Sequence, residues 1–208
     1  MKVTMILVAL LFSSVLATFS QSNYPLAVGV EVGYKAGINA ADVPTGTKNA
    51  VGFANTPDIG LQLYIPFKGQ DNMGVLANLG YYTFPYNFTF EGVSGADAKY
   101  NASYIGLGAD FFVSNFTVGV NYGIPASAKL NDFDLNTETM AGALEFRLGG
   151  HIPMMVTSSG RLNLNIRASY FLTGQFQENK LIGGKNTNPA SISFGLSYLF
   201  NLNSSIEE

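Results

Sequence analysis

Cysteine and tryptophan are absent from the 208-residue chain, and charged residues make up only 12% of it. Without cysteine, a disulfide-stapled scaffold and a thiolate zinc site are excluded. The charged share is about half the usual ~25% of globular domains, which is poor for a water-exposed surface. The net charge is −3 and Lys and Arg form no cluster, which argues against nucleic-acid binding. The hydrophobic content of 47% excludes intrinsic disorder.

The first 22 residues have the layout of a cleavable secretory signal peptide. Lys2 supplies a positive charge, residues 5–17 form an apolar core, and small residues follow at Ala17, Ser20 and Ser22. This core is shorter than the ~20 residues that a membrane-spanning helix needs. The sequence therefore predicts a signal peptide over 1–22, a single domain over 23–202 and a short polar tail over 203–208.

Alternation of apolar and polar residues with a period of two runs through the rest of the chain and predicts β-strands. In the first strand Val28, Val30 and Val32 share one face, while Gly29 and Glu31 share the other. The pattern occurs eight times, over residues 26–38, 58–67, 74–81, 104–113, 116–124, 144–149, 161–170 and 191–200.

The connections between these strands alternate in length. Short ones cover 68–72, 114–115 and 153–159, whereas long polar ones cover 39–56, 85–101, 125–138 and 173–188. Such alternation indicates an up-and-down meander with tight turns at one end and long loops at the other.

Two opposite folds share this pattern: a lipocalin-like soluble barrel with an apolar cavity, and a transmembrane barrel with an apolar exterior. The polar face is mostly Gly, Ser, Asn and Ala, which suits a crowded lumen better than a surface in water. All charged residues within the predicted strands fall on this face, four acidic and four basic. They form a predicted lumen charge network of Glu31, Lys35, Asp58, Asp110, Glu145, Arg147, Arg161 and Arg167.

The predicted fold is therefore all-β: an eight-stranded antiparallel up-and-down transmembrane β-barrel, closed by pairing of the last strand with the first. The short turns are expected on the periplasmic side and the long loops outside. Aromatic residues near the strand ends are predicted to form two interfacial girdles. One comprises Tyr34, Tyr81, Tyr82, Phe84 and Tyr86, and the other Phe67, Phe111, Phe116, Tyr198 and Phe200.

Over about residues 24–202 the chain resembles the small eight-stranded bacterial outer-membrane barrels of the OmpA-barrel and OmpX type. The resemblance rests on the strand pattern, the loop alternation, the leading segment and the final strand 190–200, which ends Ser197-Tyr198-Leu199-Phe200. It implies a Gram-negative outer membrane, with membrane lipid and the barrel assembly machinery as partners. In such families an aromatic-ended last strand is often read by that machinery, whereas here eight residues follow Phe200.

Two polar groupings could carry chemistry. His151, the only histidine, has Ser158 and Ser159 nearby in sequence and Asp110 near the same rim, but nothing marks a nucleophile and a structural histidine is favoured. Residues 131–138 place oxygen ligands at alternate positions, yet the glycine and glutamate of a calcium-binding loop are missing. No metal or cofactor is expected.

A turn centred on Val156 would place Glu145 opposite Arg167 and Arg147 opposite Asn165, which predicts a Glu145–Arg167 pair across the lumen. A structural role for this pair is favoured over a gate, because an eight-stranded barrel is only wide enough to be filled by its own side chains.

This fold type hosts several functions. The favoured hypothesis is a non-enzymatic envelope or surface-interaction protein that can meet an external ligand through the loops 39–56, 85–101, 125–138 and 173–188. The alternatives are a small-solute channel, a lipid-modifying enzyme and a soluble carrier.

Overall fold

The computed structural model describes residues 24–68, 70, 72–92, 97–177 and 186–202. The predicted signal peptide and the predicted polar tail both lie outside these residues. Among the described residues, no helix has the length and hydrophobicity needed to cross a bilayer.

Eight long antiparallel strands form a closed ring. All 13 residues of the first strand pair with the last one, from Ala27 opposite Asn201 to Asn39 opposite Pro189. This pairing joins the two edges of the sheet and confirms the predicted eight-stranded up-and-down barrel. The ring strands are β1 Ala27–Asn39, β2 Asp58–Pro66, β3 Met73–Phe90, β4 Asp97–Val113, β5 Phe116–Leu130, β6 Ala143–Thr157, β7 Gly160–Phe171 and β8 Pro189–Asn201.

The two faces of the ring are chemically opposite, as the alternation predicts. On β1, Val30 and Val32 are 50% and 46% exposed on the outer face, whereas Glu31 between them is 6% exposed and points inward. The same outward series continues around the ring with residues such as Leu61, Leu107 and Phe194. The exterior is consequently an apolar belt, and the polar side chains of the strands fill the interior.

The end of the barrel with the tight turns is called the turn end, and the opposite end is called the loop end. The strands reach further at the loop end than the sequence predicts. At the loop end, β3 continues to Phe90, β4 begins at Asp97 and β5 continues to Leu130. Most of the predicted loop 85–101 and the first part of the predicted loop 125–138 are therefore strand. The predicted loop 39–56 also contains two short strands, Thr47–Ala50 paired with β3 and Gly52–Phe53 paired with β1.

The predicted turn over 153–159 is also wrong. Strand β6 continues to Thr157, and only Ser158 and Ser159 separate it from β7. Pro153 does not end the strand, because it lies next to a β-bulge: Met155 pairs with Leu162 and Pro153 with Asn163, which leaves Met154 as the extra residue. Proline is tolerated at bulges because the ladder is already interrupted there.

Two apolar clusters occupy the interior, one near each end. The loop-end cluster is built around Tyr82, Phe84, Tyr86, Tyr100, Tyr104, Phe171 and Phe176, and the turn-end cluster comprises Tyr24, Ala27, Tyr64, Leu76, Phe112 and Leu199. Tyr82, Phe84 and Tyr86 are thus interior residues, and their assignment to an interfacial girdle is wrong. Their even numbers place them on the inward face of β3 together with Asn78, whereas Tyr81 points outward.

A charge on the outer belt should destabilise the barrel in lipid. Val32 lies near the middle of β1, between Ile59 and Leu196 on the neighbouring strands. Val32→Arg is expected to lower the free energy of unfolding in lipid vesicles by about 2–4 kcal/mol, because the guanidinium would replace a lipid-facing valine. Urea titration of vesicle-embedded protein measures the change. The matched control is Phe133→Arg, at a 75% exposed residue in a loop-end connection, and an equal loss in both variants would contradict the prediction.

Candidate functional site in the barrel interior

All eight residues of the predicted lumen charge network are buried inside the ring. Six of them form three ion pairs. Lys35 Nζ lies 3.0 Å from Asp58 Oδ2, Arg147 Nε lies 2.8 Å from Glu145 Oε2, and Arg167 Nη2 lies 3.0 Å from Glu31 Oε2. Asp110 and Arg161 have no ionic partner within the described residues.

Glu31 is the most densely hydrogen-bonded acidic group of the interior. Its Oε2 accepts from Arg167 Nη2 and, at 2.8 Å, from Gln62 Nε2, while its Oε1 accepts from Arg167 Nη1 and Tyr82 Oη, both at 3.3 Å. The guanidinium therefore binds the carboxylate through two N–H groups, the strongest form of such a pair. Four donors offset much of the cost of removing the carboxylate from water.

The predicted Glu145–Arg167 pair does not form. Because the turn is centred between Ser158 and Ser159, Arg167 lies opposite Gly149, and Glu145 lies opposite Phe171. Glu145 instead accepts from Arg147 on its own strand and, at 3.0 Å, from Asn121 Nδ2 on β5. The Arg147 guanidinium also lies over the Tyr82 ring, 4.4 Å from its centroid.

The Lys35–Asp58 pair lies at a gap in the wall of the barrel, called the notch, where β2 does not extend as far as β3. Strand β2 begins at Asp58, so the backbone N–H of Thr83 lies beyond the last β2–β3 residue pair. Asp58 Oδ1 accepts this N–H at 2.7 Å, and Lys35 Nζ lies 3.7 Å from the centroid of the Phe84 ring. The carboxylate thus takes the place of the missing strand partner.

At the loop end, the connection between β7 and β8 enters the barrel. Gln175 is fully buried, and its Oε1 accepts from Tyr86 Oη at 3.0 Å and from Thr187 Oγ1 at 2.9 Å. Phe176 is also buried and pairs with Met140 from the connection between β5 and β6. Sequence reasoning missed this plug because residues 173–188 carry no alternation that would place one of their side chains inside.

The residues of the hypothetical His/Ser/carboxylate site are not brought together. His151 is buried with its ring 5.9 Å from that of Phe112, and its Nδ1 has no hydrogen-bond partner among the described residues. Ser159 Oγ instead lies 3.0 Å from Thr157 Oγ1 in the tight turn, and Asp110 Oδ2 accepts from Asn78 Nδ2 at 2.8 Å.

The candidate calcium loop uses its oxygens internally. Asn136 Oδ1 accepts the backbone N–H of Glu138 and caps the short 3-10 helix Thr137–Thr139. In the described part of the chain, no three His, Cys, Asp or Glu residues are grouped as a metal site would require.

Comparison of the sequence with protein-family models and with curated proteins gives no match. Among solved structures, the chain is similar to Neisserial surface protein A (16% identity, 83% of this chain and 95% of that chain covered, TM-score 0.46). It is also similar to the outer membrane protein OprG from Pseudomonas aeruginosa (14% identity, 86% and 98% covered, TM-score 0.41). A third similar structure is the outer membrane protein AlkL in DMPC bilayers (16% identity, 92% and 97% covered, TM-score 0.42).

Removing one charge of the Glu31–Arg167 pair should lower the free energy of unfolding more than removing both charges. Glu31→Gln leaves a buried guanidinium without its counter-charge and is expected to lower the free energy of unfolding by about 3–5 kcal/mol. The double variant Glu31→Gln/Arg167→Met should recover part of that loss. Urea unfolding of the single and double variants in detergent gives the coupling energy. Additive effects of the two substitutions would contradict the pairing.

The notch can be tested at a single amide. Asp58→Ala removes the acceptor of the Thr83 N–H and should speed hydrogen exchange at that amide about tenfold or more, because a bond to a charged acceptor contributes about 1.5–3 kcal/mol. Asp58→Asn keeps an oxygen at the same place and should show a smaller increase. NMR hydrogen exchange measures both variants. Unchanged exchange in Asp58→Ala would contradict the role of Asp58 as the acceptor of the Thr83 N–H.

Proposed function

We propose that the protein is an integral outer-membrane β-barrel without enzymatic activity, which serves as an envelope structural or surface-interaction protein through its loop end. The observation that carries this proposal is a closed ring with an apolar exterior whose interior is filled by its own side chains from one end to the other.

The exterior supports a lipid environment. Apolar patches on soluble monomers rarely exceed a few hundred Å², whereas here the outward residues of all eight strands form one belt. Exposed residues on β1, β4 and β8, such as Val30, Leu107 and Phe194, belong to it. The β1–β8 seam joins the two edge strands of the described sheet, which in hydrocarbon meets the requirement that backbone groups be bonded internally.

The interior supports a closed lumen rather than a channel. Three layers follow one another along the axis: the turn-end cluster with Tyr64 and Phe112, the ionic layer around Glu31 and Arg167, and the loop-end cluster with Gln175 inserted among aromatic rings. The largest fully buried side chains include Arg147, Tyr64 and Tyr82, which are bulky enough to fill an eight-stranded ring.

The loop end supports a role in interaction. Strands β3 and β4 are the longest of the ring, with 18 and 17 residues, and at the loop end β5 continues beside them to Leu130. Phe53 and Phe133, which are 72% and 75% exposed, lie in the connections at this end. Exposed aromatic side chains on such a rim are a common feature of protein-interaction surfaces.

Two measurements on the exported protein test the proposal. The protein should stay with the outer-membrane fraction after osmotic shock and require detergent for release, because the apolar belt has to remain in lipid. Purified protein in planar bilayers should give no stepwise conductance, because the lumen is filled. Release without detergent would favour the soluble carrier, and regular unitary currents would favour the channel.

A third measurement addresses the enzyme alternative. His151→Ala should leave the lipid composition of the outer membrane unchanged, since His151 Nδ1 has no hydrogen-bond partner among the described residues, and Ser159 and Asp110 are bonded to Thr157 and Asn78 instead. A changed phospholipid or lipid A profile would contradict a non-enzymatic role.

A further inference from the structure

Among the described residues, the ion pairs of the interior leave Arg161 without an acidic partner. Glu31, Asp58 and Glu145 are each paired with a basic residue, and Asp110 is bonded to Asn78. Arg161 remains, near the start of β7 at the turn end. It is only 3% exposed, and neither Nη1 nor Nη2 has a hydrogen-bond partner in the chain as far as the structure describes it.

Aromatic rings enclose the guanidinium of Arg161. Its Cζ lies 3.9 Å from the centroid of Tyr24, 4.8 Å from that of Tyr64 and 6.0 Å from that of Phe112. The three rings also pack edge-on against one another, with centroids 5.2–6.1 Å apart. Tyr24 is itself fixed by its hydroxyl, which donates to Asn115 Oδ1 at 3.0 Å. The rings of Tyr24, Tyr64 and Phe112, here called the box, are therefore held in place around Arg161 by their own contacts.

The rings satisfy only part of what a buried guanidinium requires. Contact with a ring face stabilises the charge, but the N–H groups lie in the guanidinium plane and still need acceptors. Arg161 is only 3% exposed, so missing acceptors are costly, and the cost is largest for a charged donor. A second hydroxyl of the box, Tyr64 Oη, is likewise buried without a partner among the described residues. Within the described part of the chain, the turn end thus holds unused donors on Arg161 and Tyr64 and a positive charge that no carboxylate contacts.

We propose that Arg161 is the anchor of an anion-binding site at the turn end, which takes a small carboxylate. A carboxylate matches the two unused Nη groups of Arg161, because its two oxygens accept in parallel from a guanidinium. It would also neutralise Arg161, which no acidic side chain of the described residues contacts. This inference is independent of the role of the loop end.

The same chemistry has two possible sources. One is a free carboxylate that enters from the turn end. The other is the protein itself, because the chain leaves β8 at this end and its residues after Leu202 include Glu207 and Glu208. A variant that ends at Leu202 distinguishes the two sources without altering the barrel strands.

Formate is the probe, since it is the smallest carboxylate. Sodium formate replaces sodium chloride at constant ionic strength in detergent-solubilised full-length protein, because chloride lacks the two oxygens of a carboxylate. The midpoint of thermal unfolding, followed by circular dichroism, should rise with formate concentration by a few degrees and then saturate. Line broadening of ¹³C-formate by the unmodified protein reports binding directly and does not depend on any variant folding.

Arg161→Gln should abolish both effects, and Arg161→Lys should weaken the apparent affinity about tenfold or more, because an ammonium cannot form the paired contact. Lys129→Gln is the matched control: it removes a half-exposed cation paired with Asp134 at the loop end and should leave the formate response unchanged.

A response in the full-length protein supports a free carboxylate as ligand. A response that appears only in the variant ending at Leu202 supports the protein's own acidic residues as the usual occupant. The proposal is overturned if formate has no effect on either protein. It is also overturned if the response persists in Arg161→Gln.

Discussion

The structure depends on one constraint: at the level of the apolar belt, a ring of backbone hydrogen bonds with an apolar outer face leaves the interior as the place for ionised side chains. The interior of an eight-stranded ring is about as wide as the side chains that line it. Every charge placed there loses its water and must find a partner within reach. This requirement is met by the Glu31–Arg167 and Glu145–Arg147 ion pairs. It is also met by Asp58, whose carboxylate accepts a backbone N–H in the barrel wall.

The layering of the interior follows from this requirement. Aromatic clusters at both ends keep the ionic layer away from bulk water, and a low local dielectric strengthens each of its hydrogen bonds. Basic residues also contact the clusters: Lys35 lies over Phe84, Arg147 over Tyr82 and Arg161 over Tyr24. The apolar and polar parts of the interior are therefore joined by cation–π contacts rather than separated.

Local alternation was enough to predict the number of strands and the closed meander. It also predicted that Glu31 and Arg147 point inward, because the face on which a side chain lies depends only on whether its position in the strand is odd or even. The partners depend on register, which one bulged residue at Met154 changes. The Glu31–Arg167 pair joins residues from β1 and β7 and could not be read from either strand alone. The burial of Gln175 was equally invisible, since it rests on contacts with Tyr86 and Thr187 from other segments.

The seam between β1 and β8 has a consequence for how the protein reaches its native state. It joins the most distant parts of the described chain, so it adds contacts of very high sequence separation and cannot form until the last strand has been synthesised. Folds with such contact order are slow to form, because the entropy of closing a long segment is lost before the new bonds compensate it. Until then both edge strands expose unbonded amides, and the nascent chain needs protection against aggregation.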